Sequence, residues 1–184
     1  MNVAPLGREA TLEDLWEFEG RAELIDGRIV EMSPTGYRPG RSAFRIHLSL
    51  HAHEAEHGGG QAVSEDVGFV LQTPRTQLLV PDVAWWTGSV LEEDAIHGAP
   101  VFAAEVRSES DYGPTAERAM AIKRAHYFAG GTQVVWDVDV LREGWVRVYR
   151  AEDPDHPTIY RRGEVAEAEP ADPGWRMPVD ELFE

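Results

Sequence analysis

The sequence predicts an α/β fold, α+β in arrangement, with one domain over residues 1–184. Three observations carry that prediction. Asp26-Gly27, flanked by alternating apolar residues in "AELIDGRIVEMSP", is the strongest short hairpin signal in the chain. The run "VFAAEVRS" is nearly continuous in apolar residues, the mark of a strand covered on both faces. Two helix-length segments, over 41–57 and 115–129, interrupt the strand patterns.

Taken in order, "TLEDLWEFEG" reads as a short helix, with Thr11 as N-cap and Asp14 three residues on in an approximate capping box. The hairpin follows, and Pro34, Gly36, Pro39 and Gly40 mark a loop. A helix is predicted from Arg41 to His57, ended by Gly58-Gly59-Gly60. "QAVSEDVGFVL" and "LLVPDVAWW" read as strands, and "SVLEEDAIHGAP" as a polar connection. After the "VFAAEVRS" strand, Gly113-Pro114 opens the second long helix. "TQVVWDVD" and "GWVRVYR" form a hairpin, "AEDPDHP" breaks the chain, and one short strand and a Pro-rich acidic tail close it. The core is placed at about 21–150, with 151–184 as terminal strand and tail.

A chain of 184 residues is long enough for a core that needs no staples. It contains no cysteine, which excludes disulfides and thiolate metal sites and fits a reducing compartment. No apolar run approaches a membrane span, and "MNVAPLGREA" lacks the pattern of a signal peptide, so a cytoplasmic protein is expected. Seventeen basic against 33 acidic residues give a net charge of −16, which repels nucleic acid unless positive groups concentrate locally. Lys123 is the only lysine.

Glu105 poses the chemical question, since an acid inside an apolar strand needs a partner. Asp82 follows Pro81 in the preceding strand, and Glu23 lies in the first hairpin. Carboxylates crowded on adjacent strand ends repel. A hard divalent cation resolves the crowding, because Mg²⁺ takes one or two protein carboxylates, keeps waters and binds phosphates. Such an ion activates water and withdraws charge from a phosphodiester, and a nearby lysine can orient the attacking water.

Pro81-Asp82 followed by Glu105-Val106-Arg107 resembles the PD-(D/E)xK nuclease signature, with Arg107 in the usual lysine position. Five stretches, "AELIDGRIVEMSP", "VPDVAWW", "AAEVRSESD", "KRAHYFAGGTQVVWDVD" and "MPVDELF", are similar in order to one bacterial branch, the Uma-two-type restriction endonucleases. That resemblance implies a restriction-endonuclease-like core, a mixed central sheet flanked by helices. It implies Asp82 and Glu105 as ligands of Mg²⁺ or Mn²⁺, helped by the Val106 carbonyl, and Glu23 as a further acid binding metal or water. Arg107 keeps its proton and so cannot act as a base, although it can bind phosphate. Lys123, followed by Tyr127 and Gly130, matches the branch's helical K…Y…G pattern and takes over the lysine role. Pro39-Gly40 stands where relatives are expected to carry His-Gly.

Simpler readings compete at each position. Asp82 can be a turn residue after proline, and Glu105 can be half of an ion pair with Arg107, Arg124 or Lys123. His53-Glu54-Ala55-Glu56-His57 matches the H-E-x-x-H zinc-hydrolase motif, but Val63 falls where a third ligand belongs. Its alternative is an exposed polar helix end with His57 frayed. His47 and His51 are expected to line a polar face, and Trp85 and Trp86 to point to opposite faces of one strand.

The leading expectation is a metal-dependent endonuclease acting on nucleic acid, DNA by resemblance. A catalytically inert nuclease-fold protein, regulatory or structural, is the second reading, and the zinc hydrolase the third. Nucleic acid requires Arg38, Arg41 and Arg45 to ring the site as phosphate contacts, and a homodimer would pool two such patches.

Overall fold

Helix α1 (Leu12–Trp16) opens with the expected capping box: Thr11 N–H donates to Asp14 Oδ2 at 2.8 Å, and the Thr11 hydroxyl oxygen accepts from Asp14 N–H. The structure, a computed structural model, describes residues 7–89 and 95–184. Strands β1 (Ala22–Ile25) and β2 (Arg28–Glu31) form the predicted hairpin, with Asp26 at φ 50° and Gly27 at φ 70° in its turn.

Helix α2 spans Tyr37–His57, so it begins four residues before the predicted Arg41. Pro39 falls in its first turn, where the missing N–H would have no intrahelical partner anyway, and the prolines and glycines that suggested a loop are compatible with a helix start. Gly58, at φ 65°, ends it.

The two predicted strands after α2 each divide. "QAVSEDVGFVL" becomes β3 (Gln61–Ser64) and β4 (Phe69–Leu71), and "LLVPDVAWW" becomes β5 (Gln77–Leu79) and β6 (Val83–Trp86). Each pair crosses between two sheets. Strand β7 (Ile96–His97) was not foreseen, and residues 90–94 of the predicted polar connection lie outside the described residues, as do residues 1–6 of the amino terminus. Strand β8 (Phe102–Val106), helix α3 (Pro114–Gly130), β9 (Val134–Asp139) and β10 (Trp145–Arg150) lie within a few residues of their predicted places.

"AEDPDHP" is not a break. Strand β11 runs over Asp153–Arg161 at the rim of the sheet, where Pro154 and Pro157 cost no ladder bond to a further neighbour. Strands β12 (Val165–Glu167) and β13 (Arg176–Pro178) form a ribbon, followed by a 3-10 turn at Val179–Phe183.

One sheet has the order β2-β1-β5-β4-β7, and the larger has β11-β10-β9-β8-β6-β3. The larger sheet is mixed, as expected, because β8 and β9 are parallel while its other pairs are antiparallel. Its residues alternate between two cores. Phe102, Ala104, Val106 and Trp136 pack with Ile46 and Leu50 of α2, whereas Ala103 and Val135 pack with Phe69, Leu71 and Leu79 of the smaller sheet and Tyr127 of α3. Trp85 and Trp86 divide the same way, and both pack. Ala166, Trp175, Met177 and Leu182 join the α2-side core, which extends past the predicted limit at 150. No described helix is long and apolar enough to cross a membrane.

Candidate active site

Alternation along β8 turns Glu105 to the face it shares with Ala103, against the smaller sheet and α3. Antiparallel pairing sets Val83 beside Ala104, and one step further the same register sets Asp82 beside Glu105. Pro81 ends the run shared with β5, so Asp82 sits where the chain passes from one sheet to the other. There its Oδ2 accepts from Val106 N–H at 2.6 Å. Glu23, in β1 of the smaller sheet, is 6% exposed and accepts from Val80 N–H at 2.7 Å through Oε1.

Lys123 and Tyr127, one turn apart on α3, close the site. Lys123 Nζ is 2.8 Å from Glu105 Oε2 and 2.8 Å from Glu23 Oε1. The Tyr127 hydroxyl donates to Glu105 Oε1 at 2.7 Å. Four of the predicted site residues, Glu23, Asp82, Glu105 and Lys123, thus come together, with Val106 beside Asp82. Tyr127 was noted in the sequence only as part of a motif, yet it fixes one Glu105 oxygen. Glu65 was missed. It follows Ser64, the partner of Val83, and so stands across from Asp82. Only that register brings it there, and no local signal announces it.

Burial pushes the Asp82 carboxyl up to about 6, against the Val106 N–H and the Lys123 charge, with Glu65 and Glu23 adding to the rise. Burial likewise raises the Glu105 carboxyl, with Lys123 opposing it. Burial works to lower the Lys123 ammonium, but the Glu105 and Glu23 carboxylates outweigh it and raise it. The Lys123 ammonium is therefore held in its charged form by the two carboxylates beside it.

Arg107 is not the partner of Glu105. Its side chain is 2% exposed and binds Asp137 through Nε and Nη2, both at 2.7 Å, together with Glu117 and the Asp111 carbonyl. Five contacts match the five N–H donors of a guanidinium, so none remains for phosphate. Arg124 is also elsewhere, over the Tyr149 ring at 3.7 Å.

The three helix arginines divide. Arg41 walls a hollow that also includes Glu65, whereas Arg45 turns to the carboxyl-terminal Glu184 at 3.4 Å, and Arg38 is exposed in the first turn of α2. Arg45 is thereby removed from the predicted ring.

The H-E-x-x-H segment forms the last turns of α2. Ala55, Glu56 and His57 are exposed, as expected of a polar helix end, whereas His53 and Glu54 are engaged within the fold. His53 is nearly buried, with Nε2 3.4 Å from Asp172 Oδ1, and stacks on His57 at 4.4 Å. Glu54 accepts from Ala62 N–H at 2.9 Å, holding the turn into β3. His57 is exposed, and His47 and His51 stack at 6.2 Å. Among the described residues no group of three or more His, Cys, Asp or Glu side chains is set to hold a metal ion by itself.

The sequence model of the Uma2 family, described as "Putative restriction endonuclease", matches residues 11–180. A solved structure is similar in fold, that of "a putative nuclease belonging to DUF820 from Anabaena variabilis ATCC 29413". Its TM-score is 0.75, over 94% of this chain and 97% of that chain, at 17% identity. No curated protein matches the chain.

Proposed function

Since the chain belongs to the Uma2 family, whose model is described as "Putative restriction endonuclease", we propose that it is a metal-dependent endonuclease that hydrolyses phosphodiester bonds in DNA. One observation carries this reading: acids from two sheets meet around a single ammonium, with Lys123 Nζ 2.8 Å from both Glu23 and Glu105, and Asp82 tied to the residue after Glu105.

The donors are all hard oxygens, which suits Mg²⁺ or Mn²⁺. Such an ion needs only one or two protein carboxylates because water and phosphate complete its shell, so a closed protein cage is not required. Asp82 and Glu105 would hold it, with the Val106 carbonyl and Glu23 in support. When bound, the ion lowers the pKa of a coordinated water and draws charge from the phosphodiester. The chain's own groups do the positioning. Val106 N–H fixes Asp82, Tyr127 fixes Glu105, and Val80 N–H fixes Glu23. The Lys123 ammonium orients the attacking water and offsets charge on the phosphoryl oxygens.

The test is cleavage of supercoiled plasmid with Mg²⁺ or Mn²⁺, with folding followed by circular dichroism. Asp82→Ala and Glu105→Ala should abolish cutting while remaining folded. Equal cutting by parent and variants rejects the reading.

The inert reading draws on the same ammonium, which already offsets two of the acids. Titration calorimetry with Mn²⁺ separates the two: heat lost in Asp82→Ala supports the enzyme, and no heat in the parent supports the inert protein.

A further inference from the structure

Beside the carboxylates lies an open hollow of about 460 Å³, walled by Arg21, Thr35, Tyr37, Arg41, Phe44 and Glu65. Its volume is that of a pocket for a small molecule. Two residues join it to the site: Arg21 precedes Glu23 by two positions, and Glu65 stands across from Asp82.

Its wall is unusual for a surface facing only water. Tyr37, Arg41, Phe44 and Leu48 recur at intervals of four, three and four along α2, so they form one stripe. Tyr37 is 84% exposed and Phe44 50%, although rings of this size bury readily. The Arg41 guanidinium lies over the Phe44 ring, 5.6 Å from its centroid, and pairs with no carboxylate among the described residues. No acid occupies the first turn of α2 and no side chain caps it, so its N–H groups keep their positive potential towards the hollow.

We propose that this hollow seats an unpaired nucleotide of the substrate strand, with its base against the Tyr37 and Phe44 rings and its phosphate at Arg41, while Arg21 at the rim is already paired with Asp66. The inference rests on the phosphodiesterase reading and narrows its substrate to single-stranded or splayed DNA. Aromatic platforms flanked by arginine bind single strands because every base has a π face to offer, whereas bases within a duplex are already stacked and paired. Charge points the same way. A duplex carries twice the negative charge per length of a single strand, and a chain of net charge −16 repels it more. Stacking is insensitive to that repulsion.

The experiment is titration of the full chain, in Ca²⁺ buffer, with a short oligonucleotide carrying one 2-aminopurine, as a single strand and as a duplex. The single strand should bind about tenfold or more tightly than the duplex and its fluorescence should be quenched. The double variant Tyr37→Ala/Phe44→Ala, altered only at exposed positions, should lose the quench and about tenfold or more in affinity. The plot of log Kobs against log salt should have a slope of about −0.7 for one neutralised phosphate, and Arg41→Gln should bring it close to zero. Tighter binding to the duplex, no binding by the parent, or a double variant that binds like the parent would overturn the proposal. If the double variant turns a dimer into a monomer in light scattering but keeps its oligonucleotide affinity, the stripe is a contact with a second copy and the proposal also falls. Asp82-dependent plasmid cutting that ignores both aromatic substitutions sinks only the stacking site. Single-strand quenching without any cutting sinks only the phosphodiesterase reading.

Discussion

Arg107, the residue after β8, and Asp137 of the parallel neighbour β9 share two hydrogen bonds of 2.7 Å, both side chains withdrawn almost wholly from water. The pair lies on the face that Glu105 occupies, because Asp137 is the register partner of Glu105. Glu117 at the start of α3 adds a second carboxylate to Arg107. The arginine in the lysine position therefore ties α3 to the sheet, and its guanidinium is used up in doing so.

Removing the Arg107 side chain strands the buried Asp137 carboxylate. Arg107→Ala should lose about 3–5 kcal/mol of stability, and Arg107→Lys should recover little of it, because an ammonium cannot reproduce the planar fork. Urea unfolding measures both. Plasmid cutting per folded Arg107→Lys molecule should match the parent, and a tenfold fall with folding intact would place Arg107 in the chemistry.

Lys123→Met leaves buried Glu23 and half-buried Glu105 without their shared cation. We expect a loss of about 3–5 kcal/mol without metal, as for other broken buried pairs. Added Mn²⁺ should restore more stability to this variant than to the parent, since the ion then relieves uncompensated repulsion. An equal shift of the melting temperature in both proteins would show that the ion does not sit among these acids.

Asp139 closes the β9–β10 hairpin by accepting from the N–H groups of Leu141, Arg142 and Glu143 at 3.0–3.1 Å, and from the Tyr112 hydroxyl at 2.7 Å. Burial works upward on its carboxyl, but the Tyr112 and backbone donors outweigh it and hold it below the ordinary value of 3.8. A lowered folded pKa means that the unfolded chain binds more protons. The contribution is complete above that ordinary value and disappears as pH falls through the folded one. Urea midpoints measured between about pH 5 and pH 2 should fall more steeply for the parent than for Asp139→Asn. Parallel curves would remove Asp139 from the acid response.

Trp175 stacks on Trp136 at 4.8 Å, meets Phe102 edge-on at 5.4 Å and donates from Nε1 to Ser49 Oγ at 3.0 Å. Trp175→Ala should cost about 3–5 kcal/mol. A loss below about 1 kcal/mol in urea unfolding would mark the carboxyl-terminal ribbon as peripheral.

Elements whose signal is local were legible in the sequence. Asp26-Gly27 gave away its hairpin, the apolar run 101–106 its buried strand, and Gly58 the end of α2. The crossing at Pro81-Asp82 was not, because "LLVPDVAWW" has the pattern of one strand, and the change of sheet depends on partners far away in the chain. The ribbon of the last 20 residues was hidden for another reason: alanines and prolines give little periodic signal, although Ala166 and Ala168 are fully enclosed. At the site, the partner of Glu105 was open among three cations, and only the position of α3 over the sheet selected Lys123. Glu65 had no signal at all.

The passage of the chain from one layer to the other at Asp82 has a consequence for biosynthesis. Glu23 belongs to one layer and Glu105 to the other, while Lys123 arrives on a helix made later by the ribosome. No fragment with a single finished layer owns the complete set of acids. A half-made or misfolded molecule therefore lacks the assembled cluster, whose members meet only when both layers and α3 are in place.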